Sequence, residues 1–547
     1  MLFQLLKKEN PVALKHIFYM AVVSGIANGC LIGIINKGST AVSNKEASGT
    51  FLLLFGIAMA IFIIAKRWTL MHSTELIENI VRGVRVRFSD KIRRSELQIV
   101  ENLGKGEVYT KVAQETSQIS QSAILIANAC QESIMLVFCL LYICYLDKPA
   151  FFITVVSITI AVYIYSIHEK SIVAEMKTLA KKEGRLLDSL SHIIDGFKEI
   201  RMNTQKSNDL FNDFKEKAVD SEVSKTKISV KFATDIMFSH VFFYTLICII
   251  IFILPQFIHN GEGKVIKLTA ALLFIIGPLE MIVAAVPVFM RSNIALKNLQ
   301  DLEDTLDLHL PEEENFGSTD QNLFLNFKTI QFKSYAFSYI APGGAPSFTV
   351  GPFDLEIKRG ETIFFVGGNG SGKSTVMKLL TGLYPKSSGF LKLEASEVTT
   401  ANRNAYRNLF ACVFTDFHLF DRFYGIENVD AEYANQLISD MDLKDKTRFE
   451  NGRFTNINLS TGQKKRLALI IAIMENKQIY VFDEWAADQD PHFRKHFYEV
   501  ILKDLKAKGK TILAVTHDDK YFGHADRLIK LNYGEMEEIK EKTTFLV

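Results

Sequence analysis

Six long apolar runs occupy the first 300 residues of the chain and constrain its fold more than any other feature. They lie at about 16–36, 50–66, 123–146, 149–167, 232–258 and 268–290. An α-helix needs roughly 20 apolar residues to cross the hydrocarbon core of a bilayer. A single run, the short one at 50–66 above all, is also compatible with a buried helix of a soluble protein, but six together are not. We therefore predict an all-α transmembrane domain of six helices at residues 1–305.

The charges between the runs predict how these helices are oriented. Lysine and arginine crowd the segments at 66–111 and 170–231, whereas the other connections are short and poor in charge. Positive charge prefers the cytoplasmic side of a membrane. We therefore expect both termini of the chain to be cytoplasmic. The first run is too long for the core of a signal peptide, so we interpret it as the first transmembrane helix.

The overall composition excludes two classes of protein. Among the 547 residues, 63 Lys plus Arg oppose 61 Asp plus Glu, for a net charge of +2. So balanced a chain lacks the basic field that holds a nucleic-acid backbone, and we expect no nucleic-acid partner. The six cysteines form no CxxC or Cys/His pattern, which argues against a zinc site and a disulfide framework.

The pattern changes after the last apolar run. Residues 306–322 are acidic, polar and contain Pro and Gly, which is the composition of a linker. In residues 323–547 strand-like and helix-like signals alternate, which favours an α/β domain. We therefore predict a membrane protein with two domains, in which a soluble α/β domain follows the transmembrane helices.

The strongest local motif lies at 362–375, where an apolar strand signal leads through GGNGSGKS into a helix signal. In such a P-loop the glycines allow backbone N–H groups to surround phosphates, the lysine reaches the β- and γ-phosphates, and the serine hydroxyl binds Mg²⁺. We expect a nucleoside triphosphate as the ligand and Mg²⁺ as its metal. The predicted nucleotide-binding residues of the motif are Gly367, Gly368, Asn369, Gly370, Ser371, Gly372, Lys373, Ser374 and Thr375.

A second apolar strand signal, at 478–483, ends in two acids, Asp483 and Glu484. Asp483 stands where a carboxylate holds Mg²⁺, and Glu484 stands where it polarises a water on the γ-phosphate. Taken alone, the pair is equally compatible with the solvated acidic end of a buried strand. Together with the P-loop, it predicts nucleotide hydrolysis.

Two further motifs closely resemble those of the ATP-binding-cassette (ABC) ATPases. LSTGQKKR at 459–466 is similar to the family's LSGGQ signature, and Thr516-His517-Asp518 follows an apolar strand signal as the family's switch histidine does. The order of the motifs behind six apolar runs resembles an exporter half-transporter, which has one membrane domain and one ATPase domain. The resemblance implies a homodimer, with each ATP between the P-loop of one chain and the signature of the other.

The resemblance also implies roles for individual residues. Glu484 is the expected general base, and His517 the expected contact of the γ-phosphate. The residues implied to bind ATP outside the P-loop are Tyr339, which stacks on adenine, Ser460, Gly462 and Gln463 of the signature, and Asp490 of the following loop.

Three positions depart from the family pattern. Thr461 replaces the first glycine of the signature, and Thr415-Asp416 stands where the family has Gln-Asp. Thr415 is shorter than Gln, so Thr415, Asp416 or a water is left as the contact of Mg²⁺. Trp485 replaces the usual proline. The segment 482–493, which includes Trp485, resembles that of the bacterial branch of the family that exports cyclic peptides, siderophore precursors and microcins.

Polar residues inside the apolar runs are candidates for a translocation cavity, because they are costly in lipid. They are Gln131, Glu132 and Glu280. A hydrogen bond between helices, or a protonated acid in the core, is an equally good explanation. In the cytoplasmic loops, segments 101–108 and 210–214 are the expected contacts through which the membrane domain couples to the ATPase domain.

The resemblance therefore predicts an ATP-driven exporter of a peptide-like compound in the bacterial inner membrane, in contact with lipid and working by alternating access. A lipid or glycolipid flippase and an importer with the exporter fold are the alternatives within transport. An ATP-gated channel and a sensor that binds ATP without turnover are alternatives from another class.

Overall fold

The computed structural model describes residues 11–43, 49–257, 262–308, 323–340 and 345–539. The chain forms two compact units, each with its own buried apolar cores. The first unit comprises Met1–Lys91 and Gly104–Asp307. The second comprises Ile92–Leu103 and Leu308–Val547.

Within the described residues, the first unit contains six helices that are long and apolar enough to span a membrane, which confirms the predicted class of fold. The spans run over Lys15–Ser39, Gly49–Arg94, Lys111–Leu146, Lys148–Tyr165, Thr204–Gln256 and Val265–Asp307. The α-helices that carry them are Pro11–Ser43, Gly49–Arg94, Thr116–Leu146, Lys148–Asp195, Thr204–Cys248 and Glu262–Asp307. Several are far longer than a bilayer requires, so they continue beyond the apolar segment.

Short elements join these helices. They are the α-helices Leu97–Leu103, Lys105–Thr110, Phe197–Met202 and Leu254–Phe257, and the π-helical turns Lys111–Glu115 and Ile249–Ile253. The chain between the fourth and fifth spans breaks at Gly196 and Asn203, where the Asn203 side chain caps the next helix by accepting from the backbone N–H of Lys206. The segment 210–214, which we expect to couple the two domains, lies inside that helix and not at the break. Helix-favouring residues continue on both sides of the true break, which hides it from a reading of composition.

The first and third spans approach each other closely at two glycines of the first span. A Cβ atom added to Gly25 would lie 2.8 Å from Cγ2 of Ile134, and one added to Gly29 would lie 3.2 Å from Cβ of Phe138. Small residues four positions apart let two membrane helices approach closely. The Gly25–Gly29 face therefore sets the distance between these two helices.

The second unit is built on two large sheets and a short hairpin. A six-stranded sheet has the order β12-β11-β3-β10-β9-β6, and a four-stranded antiparallel sheet has the order β2-β1-β4-β5. The strands are β1 (Thr329–Ile340), β2 (Pro346–Lys358), β3 (Thr362–Gly367), β4 (Ser388–Leu393), β5 (Ser396–Glu397), β6 (Phe410–Val413), β7 (Phe449–Glu450), β8 (Arg453–Phe454), β9 (Ile479–Asp483), β10 (Thr511–Val515), β11 (Arg527–Asn532) and β12 (Glu535–Ile539). In the six-stranded sheet only β12 runs antiparallel to its neighbour. Strands β3, β9 and β10 are almost fully buried, as expected for parallel strands covered on both faces.

Short helices cover this sheet. The α-helices are Lys373–Leu380, Arg403–Arg407, Ala431–Asp440, Thr461–Glu475, Pro491–His496 and Leu502–Ala507. The 3₁₀ segments Trp485–Asp488 and Asp519–His524 and the π-helical turn Phe497–Ile501 complete the unit. The alternation of strand and helix is the α/β pattern that the sequence predicts.

The contacts group one segment differently from the sequence-based division. Ile92–Leu103, which we placed inside the transmembrane domain, belongs to the second unit. The reason is local, since Leu97 packs against the apolar core of that unit and the segment's acids pair with its bases. Most of the linker expected at 306–322 lies outside the described residues.

We expect Gly25→Val to destabilise the first unit, because the new side chain must push apart two helices that are already in contact. Overpacking of this kind costs about 1–3 kcal/mol. Gly56→Val is the matched control, since no described atom lies within 4 Å of a Cβ added at Gly56. Thermal unfolding in detergent measures both variants, and equal midpoints would show that the Gly25 contact is not tight in the folded protein.

Candidate functional site

Strand pairing brings the predicted catalytic motifs together. β3, β10 and β9 are parallel neighbours, with Val515 paired to Phe365 on one side and to Asp483 on the other. The carboxyl ends of parallel strands meet at one edge of a sheet, where open α/β sheets bind ligands. The P-loop after β3, Glu484 after β9 and His517 after β10 therefore share this edge.

The P-loop has a backbone that side chains would obstruct. Gly367 has φ +148° and Gly372 has φ +100°. A Cβ at Gly367 would lie 2.3 Å from the carbonyl oxygen of Leu531, so no other residue fits there. The loop is thus held against β11 by the absence of a side chain at Gly367, which leaves its N–H groups available as a phosphate cradle.

Lys373 begins the helix Lys373–Leu380, and its ammonium closes the loop. Only 5% of its side chain is exposed, and Nζ donates to the carbonyl oxygens of Gly367, at 3.1 Å, and Gly368, at 2.9 Å. The same Nζ lies 3.8 Å from Oε1 of Glu484. The remaining P-loop residues differ in burial: Gly368, Asn369 and Gly370 are exposed, Ser374 and Thr375 are half-buried, and Ser371 is buried.

Asp483 is the buried acid of the site. It is 1% exposed, and burial raises the pKa of its carboxyl above the ordinary value, while the hydrogen bond from Thr415 opposes that rise. Thr415 Oγ1 donates to Oδ2 at 2.8 Å, whereas no described group donates to the buried Oδ1. An unpaired carboxylate oxygen beside a P-loop serine fits a hard divalent cation such as Mg²⁺. Thr415 and Asp416 were the two residues expected as alternatives near the metal. Thr415 bonds to Asp483, whereas Asp416 is 71% exposed and lies 4.0 Å from Nζ of Lys378.

Glu484 and His517 face each other at the mouth of the loop. Oε1 of Glu484 is 3.1 Å from Nε2 of His517, and the side chains are 29% and 45% exposed. Glu484 adopts a left-handed backbone conformation, with φ +52°, which is uncommon for a residue other than glycine. The carboxylate therefore stands between the histidine and the ammonium of Lys373, within reach of solvent.

The predicted signature forms the start of the helix Thr461–Glu475. Ser460 and Gln463 form a capping box, with the Gln463 N–H donating to Oγ of Ser460 and the Ser460 N–H donating to Oε1 of Gln463. Thr461 is exposed, so the departure from glycine at this position meets no neighbouring group. Gly462 is constrained, since a Cβ there would lie 2.8 Å from the carbonyl oxygen of Asp488.

Asp490 caps the helix Pro491–His496. The backbone N–H of Phe493 donates to its Oδ1, and the Arg466 guanidinium lies 2.6 Å from its Oδ2. The hydrogen bond from Phe493, followed by the charge of Arg466, lowers the pKa of Asp490. Asp490 thereby ties the loop after Glu484 to the signature helix.

Tyr339 lies near the end of β1, beside the P-loop helix. Its hydroxyl is 3.4 Å from Oγ1 of Thr375 and donates to the Tyr384 hydroxyl at 3.1 Å. The ring packs edge-on against Phe337 and Tyr384. Tyr339 thus stands next to the helix that follows the P-loop.

The polar residues of the spans lie in the first unit, and the structure pairs each of them. Gln131 is 3% exposed and donates to Oγ of Ser24 at 2.5 Å, which is the bond between helices that the sequence left open. Glu132 lies 3.4 Å from Nζ of Lys66, with side chains 16% and 35% exposed. Glu280 lies 3.4 Å from Nδ1 of His240, and these side chains are 46% and 38% exposed.

Residues 92–103 make polar contacts within the second unit that the sequence did not reveal. Nζ of Lys378 is 2.8 Å from one carboxylate oxygen of Glu101, and the Tyr384 hydroxyl donates to the other at 2.6 Å. Glu96 pairs with Arg403 at 3.1 Å. The partners are between 277 and 307 residues apart in the chain. The segment 101–108, expected to contact the ATPase domain, includes Glu101 but not Glu96.

Lys465 is a second residue that the sequence reading missed. It is 2% exposed, and its Nζ donates to the carbonyl oxygen of Glu484 at 2.7 Å. The available signal is a lysine on the same helix as the buried residues Leu467, Ala468, Leu469 and Ile470. A charge among apolar residues of a helix indicates a buried partner.

Comparisons with known proteins agree with this geometry. Residues 350–487 match the family described as ABC transporter. ATP-binding protein SyrD of Pseudomonas syringae pv. syringae is 32% identical over 549 aligned residues, which cover 97% of this chain and 95% of that protein. Human ATP-binding cassette sub-family B member 5 is 28% identical over 293 residues, or 51% of this chain and 23% of that protein.

Among solved structures, one described as a bacterial Atm1-family ABC exporter with ATP bound has the same fold. It matches with a TM-score of 0.78 at 16% identity and covers 96% of both chains. The fold, the P-loop and the full-length relative point to one family. The chain therefore belongs to the ATP-binding-cassette transporters, as a multi-span half-transporter of the exporter type that carries its own ATPase.

Proposed function

We propose that the chain works as a homodimer that exports a peptide-like compound across the bacterial inner membrane by alternating access. The observation that carries this proposal is the grouping of Lys373, Glu484 and His517 at one sheet edge of a chain with six spans. A single chain has one P-loop and one signature. Two copies are then needed to place a signature over each P-loop.

Hydrolysis rests on the carboxylate of Glu484. Its Oε1 lies 3.1 Å from Nε2 of His517 and 3.8 Å from Nζ of Lys373. The side chain is half-buried, so a water can reach it. In the proposed reaction Glu484 orients and deprotonates the attacking water as general base. His517 contacts the γ-phosphate, and Lys373 balances charge on the β- and γ-phosphates.

Magnesium is expected at Ser374 and Asp483, with Thr415 as the residue that orients Asp483. Mg²⁺ bound there would supply positive charge that offsets the negative charge of the phosphates. The chain's own part is to hold the Asp483 carboxylate still. The hydrogen bond from Thr415 to Oδ2 leaves Oδ1 free to face the metal.

The signature is proposed to act on the ATP of the second copy. Ser460 and Thr461 are exposed at the start of a helix, where N–H groups and the helix dipole favour an anion. Ser460, Gly462 and Gln463 are the proposed γ-phosphate contacts, Tyr339 the adenine contact, and Asp490 the acid that supports the loop between the two sites. ATP drives the transport cycle only because it binds the closed dimer more tightly than the open one.

The charged pairs in the spans support a polar route through the first unit. Glu280 and His240 are each more than a third exposed on membrane-spanning helices. A charge that faces hydrocarbon is expensive, so such a face suits a water-filled cavity or a second copy of the chain. Together with the resemblance of residues 482–493 to exporters of cyclic peptides, this favours Glu132 and Glu280 as cargo contacts. Gln131 is proposed to position the helix that carries Glu132.

The excess of Lys and Arg at 66–111 and 170–231 supports an orientation with both termini and the ATPase in the cytoplasm. A lipid or glycolipid flippase and an importer with the exporter fold remain the rivals within transport. A channel or a non-hydrolytic sensor is disfavoured by the presence of both Glu484 and His517.

We expect Glu484→Gln to retain ATP binding and to lose hydrolysis by roughly a hundredfold or more, because the amide cannot accept the proton of water. Nucleotide binding and phosphate release on the purified full chain measure the two properties separately. Glu537→Gln, on the exposed strand β12, is the control and should hydrolyse ATP at the wild-type rate. Turnover near wild type in Glu484→Gln would remove Glu484 from the role of base.

We expect Thr415→Val to raise the Mg²⁺ concentration for half-maximal ATPase activity roughly tenfold, because residues behind a metal ligand tune its affinity on that scale. Valine keeps the shape of threonine and removes only the hydroxyl. Thr400→Val is the control. A shift in Asp416→Asn in place of Thr415→Val would make Asp416 the residue that acts on the metal.

Inside-out membrane vesicles that contain the protein test the cargo. We expect ATP-dependent accumulation of an amphipathic cyclic lipopeptide, with no accumulation by Glu484→Gln vesicles. Export into the lumen of such vesicles follows from a cytoplasmic ATPase. ATPase stimulation by lipid alone would instead favour the flippase. Loss of preloaded peptide from the lumen would favour the importer. Ion currents without phosphate release would favour the channel.

A further inference from the structure

The buried lysine of the signature helix joins two parts of the ATPase that motif analysis treats separately. Lys465 is 2% exposed, and its Nζ lies 2.7 Å from both the carbonyl oxygen of Glu484 and Oδ2 of Asp488. An ammonium in a protein interior is costly unless it is paired and hydrogen-bonded. Both requirements are met by the six-residue stretch that begins at Asp483.

The backbone of Glu484 is the part of that stretch that most needs support. Its left-handed conformation persists only where the surroundings hold it. On one side, the N–H of Glu484 donates to the carbonyl oxygen of Val515 at 3.2 Å. On the other side, its carbonyl oxygen accepts from Lys465. The direction of the Glu484 side chain therefore depends on a residue of the signature helix.

Trp485 returns the contact. Its indole Nε1 donates to the carbonyl oxygen of Lys465 at 2.8 Å, and its ring stacks on Phe497 at 4.3 Å. It is 1% exposed. Lys465 thus binds the backbone of residue 484, and residue 485 binds the backbone of Lys465. This reciprocal pair of bonds also gives the tryptophan at position 485 a structural role.

A third contact lies at the start of the same helix. The Gln489 side-chain amide donates to the carbonyl oxygen of Gly462 at 3.0 Å, and Gly462 packs against the carbonyl of Asp488. The helix that begins at the signature and residues 484–489 are therefore joined at three residues of the helix, Gly462, Lys465 and Arg466. Motion of one without the other would break several buried hydrogen bonds.

We propose that Lys465 is a positioning residue for Glu484, and that it links the signature of each chain to the general base of the same chain. The inference rests on the role of Glu484 in the proposed function. In the proposed dimer, these two motifs serve different ATP molecules. The link through Lys465 and Trp485 then makes the geometry of one site depend on closure at the other.

Lys465→Met tests the inference in the purified full chain, since methionine fills the buried space but cannot bind Glu484. We expect kcat for ATP to fall roughly tenfold to a hundredfold, the range expected for a misplaced catalytic group. KM should stay within about twofold, because the P-loop is unchanged. Trp485→Phe keeps a ring against Phe497 but lacks the donor, and we expect a smaller fall in kcat, again with KM unchanged. If Lys465→Met fails to fold, Trp485→Phe decides the question.

Ile470→Val is the matched control, because Ile470 is fully buried on the same helix and belongs to the apolar core. It should lower the melting temperature and leave both kinetic constants near wild type. Turnover near wild type in the variants at Lys465 and Trp485, or a kcat loss that only follows melting temperature across all three variants, would overturn the inference. The activity of Glu484→Gln distinguishes the two proposals. Full activity of Glu484→Gln would refute the role of Glu484 as general base. An inactive Glu484→Gln together with a fully active Lys465→Met would refute only the positioning role of Lys465.

Discussion

Parallel pairing of β3, β10 and β9 is the constraint on which the ATPase depends. Each strand is followed directly by a chemical group, and register places those groups within a few ångströms of one another. The strands are buried on both faces, so their positions are set by the apolar core and not by the site. The apolar core therefore fixes the positions of these groups with the precision that a phosphate-transfer site requires.

Around this edge the second unit gathers residues from distant parts of the chain. The P-loop helix contacts Glu101 through Lys378, and the signature helix contacts Glu484 through Lys465. One of these helices begins at the P-loop and the other at the signature. Lys378 and Lys465 are thus separate from Lys373, which is proposed to bind the nucleotide itself.

Much of this architecture could be predicted from the sequence, and the limits have physical causes. Run length predicted the six apolar helices, and the order of the motifs predicted an ABC transporter; the fold and the relatives confirm both. The resemblance implied roles in one site for Glu484 and His517, and the structure places them 3.1 Å apart. The segment around Glu101 was expected to contact the ATPase domain, but its partners Lys378 and Tyr384 and the contacts of Lys465 could not be predicted, because they join residues whose proximity exists only after the sheets and helices pack. The break at Gly196 was missed because helix propensity continues across it.

The helix Lys373–Leu380 is short and therefore stiff. It has eight residues and is about 12 Å long. Lys373 at one end lies in the phosphate loop, and Lys378 near the other end holds Glu101 of the segment 92–103. So short a helix, with its apolar face fully buried, does not bend appreciably. A displacement of the P-loop end of this helix would therefore also displace Lys378 and the Glu101 carboxylate that it binds.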